Sequence, residues 1–494
     1  MIALGSPPDR RFAHACRRVR AGLCAASVAL ASPGLAAAGP VVGWRMDGTG
    51  RFPGAAPAIE WSPTKNVVWS TPMPSWSNSS PILVGGRLFV SSEPSTLVAL
   101  DASDGHVLWL HANPVTQVVS TPAPTASFLR ASARQAEAQA ELAATERRLS
   151  ETRGKLRAVP GDVALAAAVR SAETGARALR DELAALALVM PPQINAETGL
   201  SAPTPASDGE SVFALYGTGV AVSYALDGTR RWIRFLDQPL ARDGVSASPV
   251  IVGDKVLFLV DDLIALDKAS GEVAWRADVP ASFGTPAPFR IAGQEFVALP
   301  SGRVVRVADG AVVAEDLGEL EFASPLVQDG VLYLIDVTAK AFRIPERVPE
   351  PFELEPLWVA QVKGSRYYTS PLAVEGLLYT VTRNQFLNVV DAASGAAVYS
   401  ERLALGAVGG ANSVYSSPTL AGGYVFVSGF GGTTVVVKPG RSFERVAVNE
   451  LEKFRSTPIF DGDRMYLRGY EHFFCIATRA TTAPPRAAGA DVAP

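Results

Sequence analysis

One short phrase recurs along this chain: a Ser-Pro or Thr-Pro pair, a short apolar run, a Gly- or Asp-bearing turn, then a second apolar run. It reads SNSSPILVGGRLFV, SAPTPASDGESVFAL, SASPVIVGDKVLFLV, GTPAPFRIAGQEFVAL, FASPLVQDGVLYLI, YTSPLAVEGLLYTV, YSSPTLAGGYVFVSG and RSTPIFDGDRMYLRG. The prolines taken as markers are Pro81, Pro205, Pro249, Pro288, Pro325, Pro371, Pro418 and Pro458. From Pro205 onward they are spaced by 44, 39, 37, 46, 47 and 40 residues. A period near 40 is that of a four-stranded propeller blade, a unit that cannot bury its faces alone and must stack on its neighbours.

Each unit repeats one internal grammar. A third run leads into Asp-x-x-x-Gly, as in LVALDASDGHVLW, LIALDKASGEVAW and LNVVDAASGAAVY. The runs are short and rich in Val, Leu, Phe and Tyr, and the turns carry Gly, so they read as strands joined by hairpins. Proline at the first residue of a strand costs little, because its missing N–H is not needed there. Asp101, Asp267 and Asp391 stand where a carboxylate accepts hydrogen bonds from turn N–H groups. The fourth run carries an aromatic: Trp109, Trp232, Trp275, Trp358 or Tyr399.

The first interval breaks the period. Pro81 and Pro205 are 124 residues apart. The excess is Ala-, Glu-, Arg- and Leu-rich. Phe128, Ala131, Gln135, Ala138, Leu142, Thr145, Leu149, Thr152 and Leu156 step by three and four. After Pro160-Gly161, Leu165, Val169, Ala172, Ala176, Leu179, Leu183, Leu186 and Met190 do the same. Two such stripes around a Pro-Gly turn predict an antiparallel coiled-coil hairpin over residues 127–190. The last unit supplies only three strands. NVVWSTPM, with Trp69, sits ahead of the first full repeat and can supply the fourth. A ring closed this way has no open sheet edge. The expected fold is therefore all-β: an eight-bladed β-propeller with an inserted α-helical hairpin. Seven blades, an open sandwich or two smaller rings are the competing arrangements.

The segments outside the repeats speak to compartment. Residues 1–20 carry five Arg, then an apolar stretch ends in Ala36-Ala37-Ala38, the layout of an export signal with cleavage after residue 38. Removing it takes away five Arg and one Asp and carries the net charge from −3 to −7. That balance lacks the basic face that nucleic acid requires. Cys16 and Cys24 leave with the signal, so Cys475 stands alone and no internal disulfide is expected. No other run is long and apolar enough to span a membrane. The expected layout is a signal peptide at 1–38, a closing strand and first blade at 39–126, the hairpin at 127–190, the remaining blades at 191–478 and a disordered tail at 479–494. The expected location is the periplasm or the medium, and the expected state a monomer.

The repeat SSP…G…LFV…LVALD-x-x-x-G-x-x-LW resembles the pyrroloquinoline-quinone-like (PQQ-like) propeller repeat. It is carried here by the stretches from Asp101 to Trp109, Asp267 to Trp275 and Asp391 to Tyr399. The opening GWRMDGTGRFP…IEWSPTKNVVWSTPMP looks like the start of exported bacterial members of that family. The resemblance implies that the fourth-strand aromatics, Trp69 included, pack between blades. The family spans quinoprotein alcohol dehydrogenases and the propeller lipoprotein of outer-membrane assembly, so fold alone does not carry function.

Chemistry is sparse. The dehydrogenases of the family use adjacent cysteines over the quinone, a Glu/Asn/Asp calcium site and a catalytic Asp. This chain has no adjacent cysteines, and no calcium constellation emerges from its spacing. Asp261-Asp262 and Asp461-Gly462-Asp463 read as turn carboxylates. His106, His111 and His472 have no zinc spacing. No catalytic, metal or cofactor residue is therefore assigned, and PQQ is not expected to bind. Arg366, Tyr367, Tyr368 and Tyr415 precede inner strands and are candidates for the funnel mouth. Loops 342–357 and 406–415 are expected on a disc face, and the hairpin is the best candidate partner surface. The reading is a non-catalytic scaffold that binds a protein or cell-envelope component. The alternative is a divergent PQQ-dependent oxidoreductase or sugar-processing enzyme.

Overall fold

The computed structural model describes residues 41–119, 126–159, 161–187, 197–237, 239, 244–280, 282–364, 366–406 and 413–478. The expected signal at 1–38 and the expected tail at 479–494 lie outside the described residues.

Eight four-stranded antiparallel sheets form the propeller. Each blade runs outward in chain order, as in blade 1 with Ile82–Val84, Arg87–Ser92, Thr96–Asp101 and Val107–Ala112. The inner three strands are almost wholly buried, whereas the outermost alternates half-buried and exposed residues. An inner strand is covered on both faces by neighbouring blades, so it needs no polar alternation.

Two N-terminal strands complete the ring. Strand β1 (Arg51–Phe52) pairs in parallel with Thr419–Ala421 and adds a fifth strand to blade 7. Strand β2 (Val67–Pro72) pairs antiparallel with His472–Ile476 and is the outer strand of blade 8, as the three-strand last repeat demands. Strand β2 and the last strand thus share one sheet, and the last blade has its full four strands.

The outer aromatics lock each blade to the next. Nε1–H of Trp69, Trp109, Trp232, Trp275 and Trp358 donates to the carbonyls of Ala102, Leu226, Lys268, Val307 and Ala392, each in the following blade. The glycine of that blade's turn lies under the indole. Gly271 has φ +72°, and a Cβ there would come within 2.7 Å of Trp232 Cδ2. The Asp-x-x-x-Gly spacing therefore serves two needs at once: a left-handed residue to close the hairpin, and a bare Cα to receive the neighbour's ring. Within the turns the Asp101, Asp267 and Asp391 carboxylates accept from the N–H groups of Ser103, Ser270 and Ser394. Tyr399, at the corresponding place in blade 6, packs edge-on to Phe443 at 6.4 Å.

The insert is a helical hairpin of α1 (Ala126–Ala158) and α2 (Val163–Ala187). Asp162 accepts from the N–H of Ala164 and Leu165 and caps α2. Ala138, Leu142, Ala176 and Leu183 form its small core. Because that core is mostly alanine and leucine, cross-helix ion pairs share the seam: Arg134 with Glu182, Arg153 with Glu173 and Arg180 with Glu146.

One repeat marker needs correcting. In blade 4 the residue ahead of the first strand is Pro286, not Pro288, because that strand starts at Ala287. Pro288 lies inside it. The two Pro residues are two positions apart, and spacing alone does not separate them.

Candidate functional site

Propeller topology puts two kinds of connection on one face: those between second and third strands, and those from one blade's outer strand to the next blade's inner strand. The latter carry the Ser-Pro and Thr-Pro pairs. The residue before each proline forms a ring with its counterparts. The backbone N–H of Ser80 donates to Oγ1 of Thr204 at 3.2 Å, and that of Thr204 to Oγ of Ser248 at 3.0 Å. The chain of contacts continues through Thr285, Ser324, Ser370, Ser417 and Thr457. The N–H of Thr457 returns to Oγ of Ser80 at 2.8 Å. Eight hydrogen bonds, one per blade junction, close on themselves. All eight side chains are buried and line one cavity of about 710 Å³.

The cavity is the central funnel, and the chain closes its bottom. Val42 pairs with Ser207 at the inner strand of blade 2. Arg45, fully buried, donates from Nη1 to the Pro371 carbonyl and from Nη2 to the Pro418 carbonyl, both at 2.8 Å, in blades 6 and 7. Residues 42–45 therefore cross the channel below the hydroxyl ring. The Arg45 guanidinium lies 5.2 Å from the Trp44 ring, and Trp44 lines the funnel. Burial pulls the Arg45 guanidinium down to about 9, which leaves it charged at neutral pH. In the sequence this stretch, within GWRMDGTGRFP, carries only a family resemblance, because it is too short and irregular to read as an element.

Two residues before each ring hydroxyl a second tier faces the mouth. Blades 4 to 7 contribute Phe283, Phe322, Tyr368 and Tyr415 to it. These pack consecutively, with centroids 5.0, 4.8 and 4.9 Å apart. Arg366 lies over Phe322 and pairs with Glu321 at 2.9 Å. Its hydrogen bond to Tyr368 and the Glu321 charge hold it above its ordinary value. Arg455 lies 4.0 Å over the Tyr415 ring and 4.7 Å over Phe430, and donates to the Glu197 carbonyl. Arg383 completes the charged rim. The other half of the mouth is small and polar, with Asn78, Ala202 and Ser246.

Three of the four residues singled out for the mouth, Arg366, Tyr368 and Tyr415, line the funnel together. Tyr367 does not. It is fully buried; its hydroxyl donates to the Lys363 carbonyl and accepts from Nδ2 of Asn388. Neighbouring residues in extended chain point to opposite sides, so one tyrosine of the pair faces the lumen and the other the core. Arg383, Phe283, Phe322 and Arg455 were missed. The signal that finds them is register: most sit two residues before the hydroxyl in their own repeat. Loop 342–357 joins third and fourth strands and lies on the opposite face, while residues 407–412 of loop 406–415 lie outside the described residues.

The hairpin sits on the funnel's own face, since it replaces a connection from blade 1 to blade 2. Arg177 and Arg180 of α2 reach Asp278 after blade 3, and Arg157 of α1 reaches Asp316 after blade 4 at 3.7 Å. All of these pairs are exposed or half-exposed. Asp262, in a turn on this face, has its carboxyl pushed up by burial and by the charges of Asp278 and Asp237.

Among the described residues, one group of three could hold a cation: Glu452, Glu471 and His472. The Glu452 carboxylate is already engaged. It accepts from the N–H of Glu471 and His472 and meets Nδ1 of His472 at 2.8 Å. That pattern caps a turn. Cys475 is buried in blade 8 and its thiol is pushed up to about 12 by burial.

Residues 54–188 and 217–483 match the family described as outer membrane protein assembly factor BamB. No curated protein matches the chain. Among solved structures, BamB from Moraxella catarrhalis superposes with a TM-score of 0.53 at 10% identity, over 85% of this chain and 98% of that one. A europium-containing methanol dehydrogenase superposes with a TM-score of 0.52 at 12% identity, over 86% of this chain and 88% of that one. At these identities the likeness is one of fold.

Proposed function

The chain belongs to the family described as outer membrane protein assembly factor BamB, and on that footing we propose that it is an exported, non-catalytic propeller that holds a protein or another cell-envelope component. The observation that carries the reading is the make-up of one face. The funnel mouth and a hairpin held to the disc by exposed ion pairs share it. A helical arm tethered by contacts worth about 0–1 kcal/mol each can be drawn to a partner at small cost. The disc beneath is stiff, because every blade is tied to the next at its inner end by a hydroxyl and, at most junctions, at its outer end by an indole.

The non-catalytic reading rests on the sequence, which has no adjacent cysteines of the kind that quinoprotein dehydrogenases place over the quinone. The single cysteine beyond residue 38 is sealed in blade 8 and held in the thiol form. Export rests on the charged start, apolar middle and small-residue end of residues 1–38.

Three measurements test the proposal. Cross-linking in intact cells, followed by purification, should yield a defined envelope partner with the full chain and not with a chain lacking residues 127–190. N-terminal sequencing of envelope material should begin after residue 38, and an intact Met1 would refute export. The purified protein should not reduce dye with alcohols or glucose in the presence of PQQ and Ca²⁺. Turnover above a heat-killed control would establish the oxidoreductase alternative instead.

A further inference from the structure

The eight ring hydroxyls do one thing for the fold and leave one thing undone. Each Oγ accepts the neighbour's N–H, and none donates a hydrogen bond among the described residues. Every one is more than nine-tenths buried and lines the funnel. The throat is therefore a circle of hydroxyl hydrogens without a protein acceptor. An oxygen-rich guest that enters the funnel meets eight hydroxyls able to donate to it.

The rest of the lining narrows the guest. Trp44 makes the floor with the Arg45 charge behind it, and aromatic rings of blades 4 to 7 make one wall. Sugars present apolar C–H faces and hydroxyl edges, and a lining that alternates aromatic surface with hydroxyls matches both. Arg366, Arg383 and Arg455 stand at the rim against Glu197 and Glu321, so the mouth carries a net positive charge. Arg366 and Arg455 are oriented by the rings they lie over. A guanidinium fixed in this way selects a carboxylate or phosphate over a neutral hydroxyl. The cavity of about 710 Å³ falls within the range of small-molecule sites.

We infer that the funnel binds an anionic sugar, with its acid group at the arginine rim and its ring oxygens at the hydroxyl throat. The site opens on the face proposed to hold a partner, beside the hairpin, and needs no catalysis. The probes are D-galacturonate and D-glucose 6-phosphate, with neutral D-glucose as reference, titrated calorimetrically into the purified full-length protein. The two anions distinguish a carboxylate from a phosphate as the preferred acid. At least one should bind on the order of tenfold more tightly than glucose, the size of one charge-assisted contact. Arg383→Gln and Arg455→Gln should each weaken that anion by about tenfold, and Arg383→Gln should leave the thermal melt unchanged. Arg383 is exposed, so its variant separates recognition from folding. The inference fails if neither anion binds at millimolar concentration, if glucose binds as tightly, or if both variants bind like the parent. Because no partner is present in the titration, such a failure leaves the scaffold reading untouched.

Discussion

Replacing Ser324 by Ala tests how the ring stays closed. Its Oγ is the acceptor for the Thr285 N–H at 2.8 Å, and the side chain is 3% exposed. The substitution creates almost no cavity, since one oxygen is lost. It leaves a buried backbone donor without its acceptor, at a cost of about 1–3 kcal/mol. A chain of this length has an unfolding entropy near 1 kcal/mol/K, so 2 kcal/mol lowers Tm by only about 2 °C. Urea denaturation followed by tryptophan fluorescence is therefore the better assay, with the loss read in the midpoint at constant slope. Ser324→Thr supplies the control. Thr already fills this place at residues 204, 285 and 457, so it should be near neutral. Ser80→Ala, in blade 1 across the ring, should add to Ser324→Ala without coupling. If Ser324→Ala shifts stability by less than about 0.3 kcal/mol, or Ser324→Thr costs as much as Ala, the hydroxyl ring is not what closes the blade junctions.

Gly271→Ala should destabilise by clearly more than Gly253→Ala. Both have positive φ and pay the left-handed cost of about 1–2 kcal/mol, but only at Gly271 does a Cβ meet the Trp232 ring, so the difference in denaturation midpoint isolates the indole lock. Deleting residues 127–190 with a short Gly/Ser linker should remove the helical part of the circular dichroism spectrum and keep a cooperative β melt, because the ties to the disc are the exposed Arg177–Asp278 and Arg157–Asp316 pairs; early melting or aggregation would make the hairpin part of the fold. Acid should weaken the protein through its turns. Ser103, Ser270 and Ser394 hold the Asp101, Asp267 and Asp391 carboxyls below their ordinary range, so this stability is present above the unfolded carboxyl value near 4 and is lost as pH falls through the lower folded values. Melts recorded from pH 7 to 3 should fall off only below about pH 4, and less steeply for Asp391→Asn.

The number of blades, the closing strand and the helical insert are legible in the residues, because each rests on a local rule. A strand needs an apolar run, a hairpin needs Gly or Asp at its turn, and a helix needs apolar positions three and four apart; sequence alone decides all three. The repeat also fixed which aromatics recur, though not what they meet, since the Trp232 indole and the Gly271 turn belong to different repeats. Tertiary structure alone decided the rest. Only ring closure brings Ser80 to Thr457, 377 residues away, and only then do eight unremarkable Ser and Thr residues become a circle of donors. Only the crossing of the channel by residues 42–45 gives the funnel a floor, through an Arg45 whose acceptors, Pro371 and Pro418, lie more than 300 residues away. Local pattern sets which element a residue joins, but a site assembled one residue per blade exists only when the chain returns on itself and the last blade borrows its outer strand from the first residues of the fold.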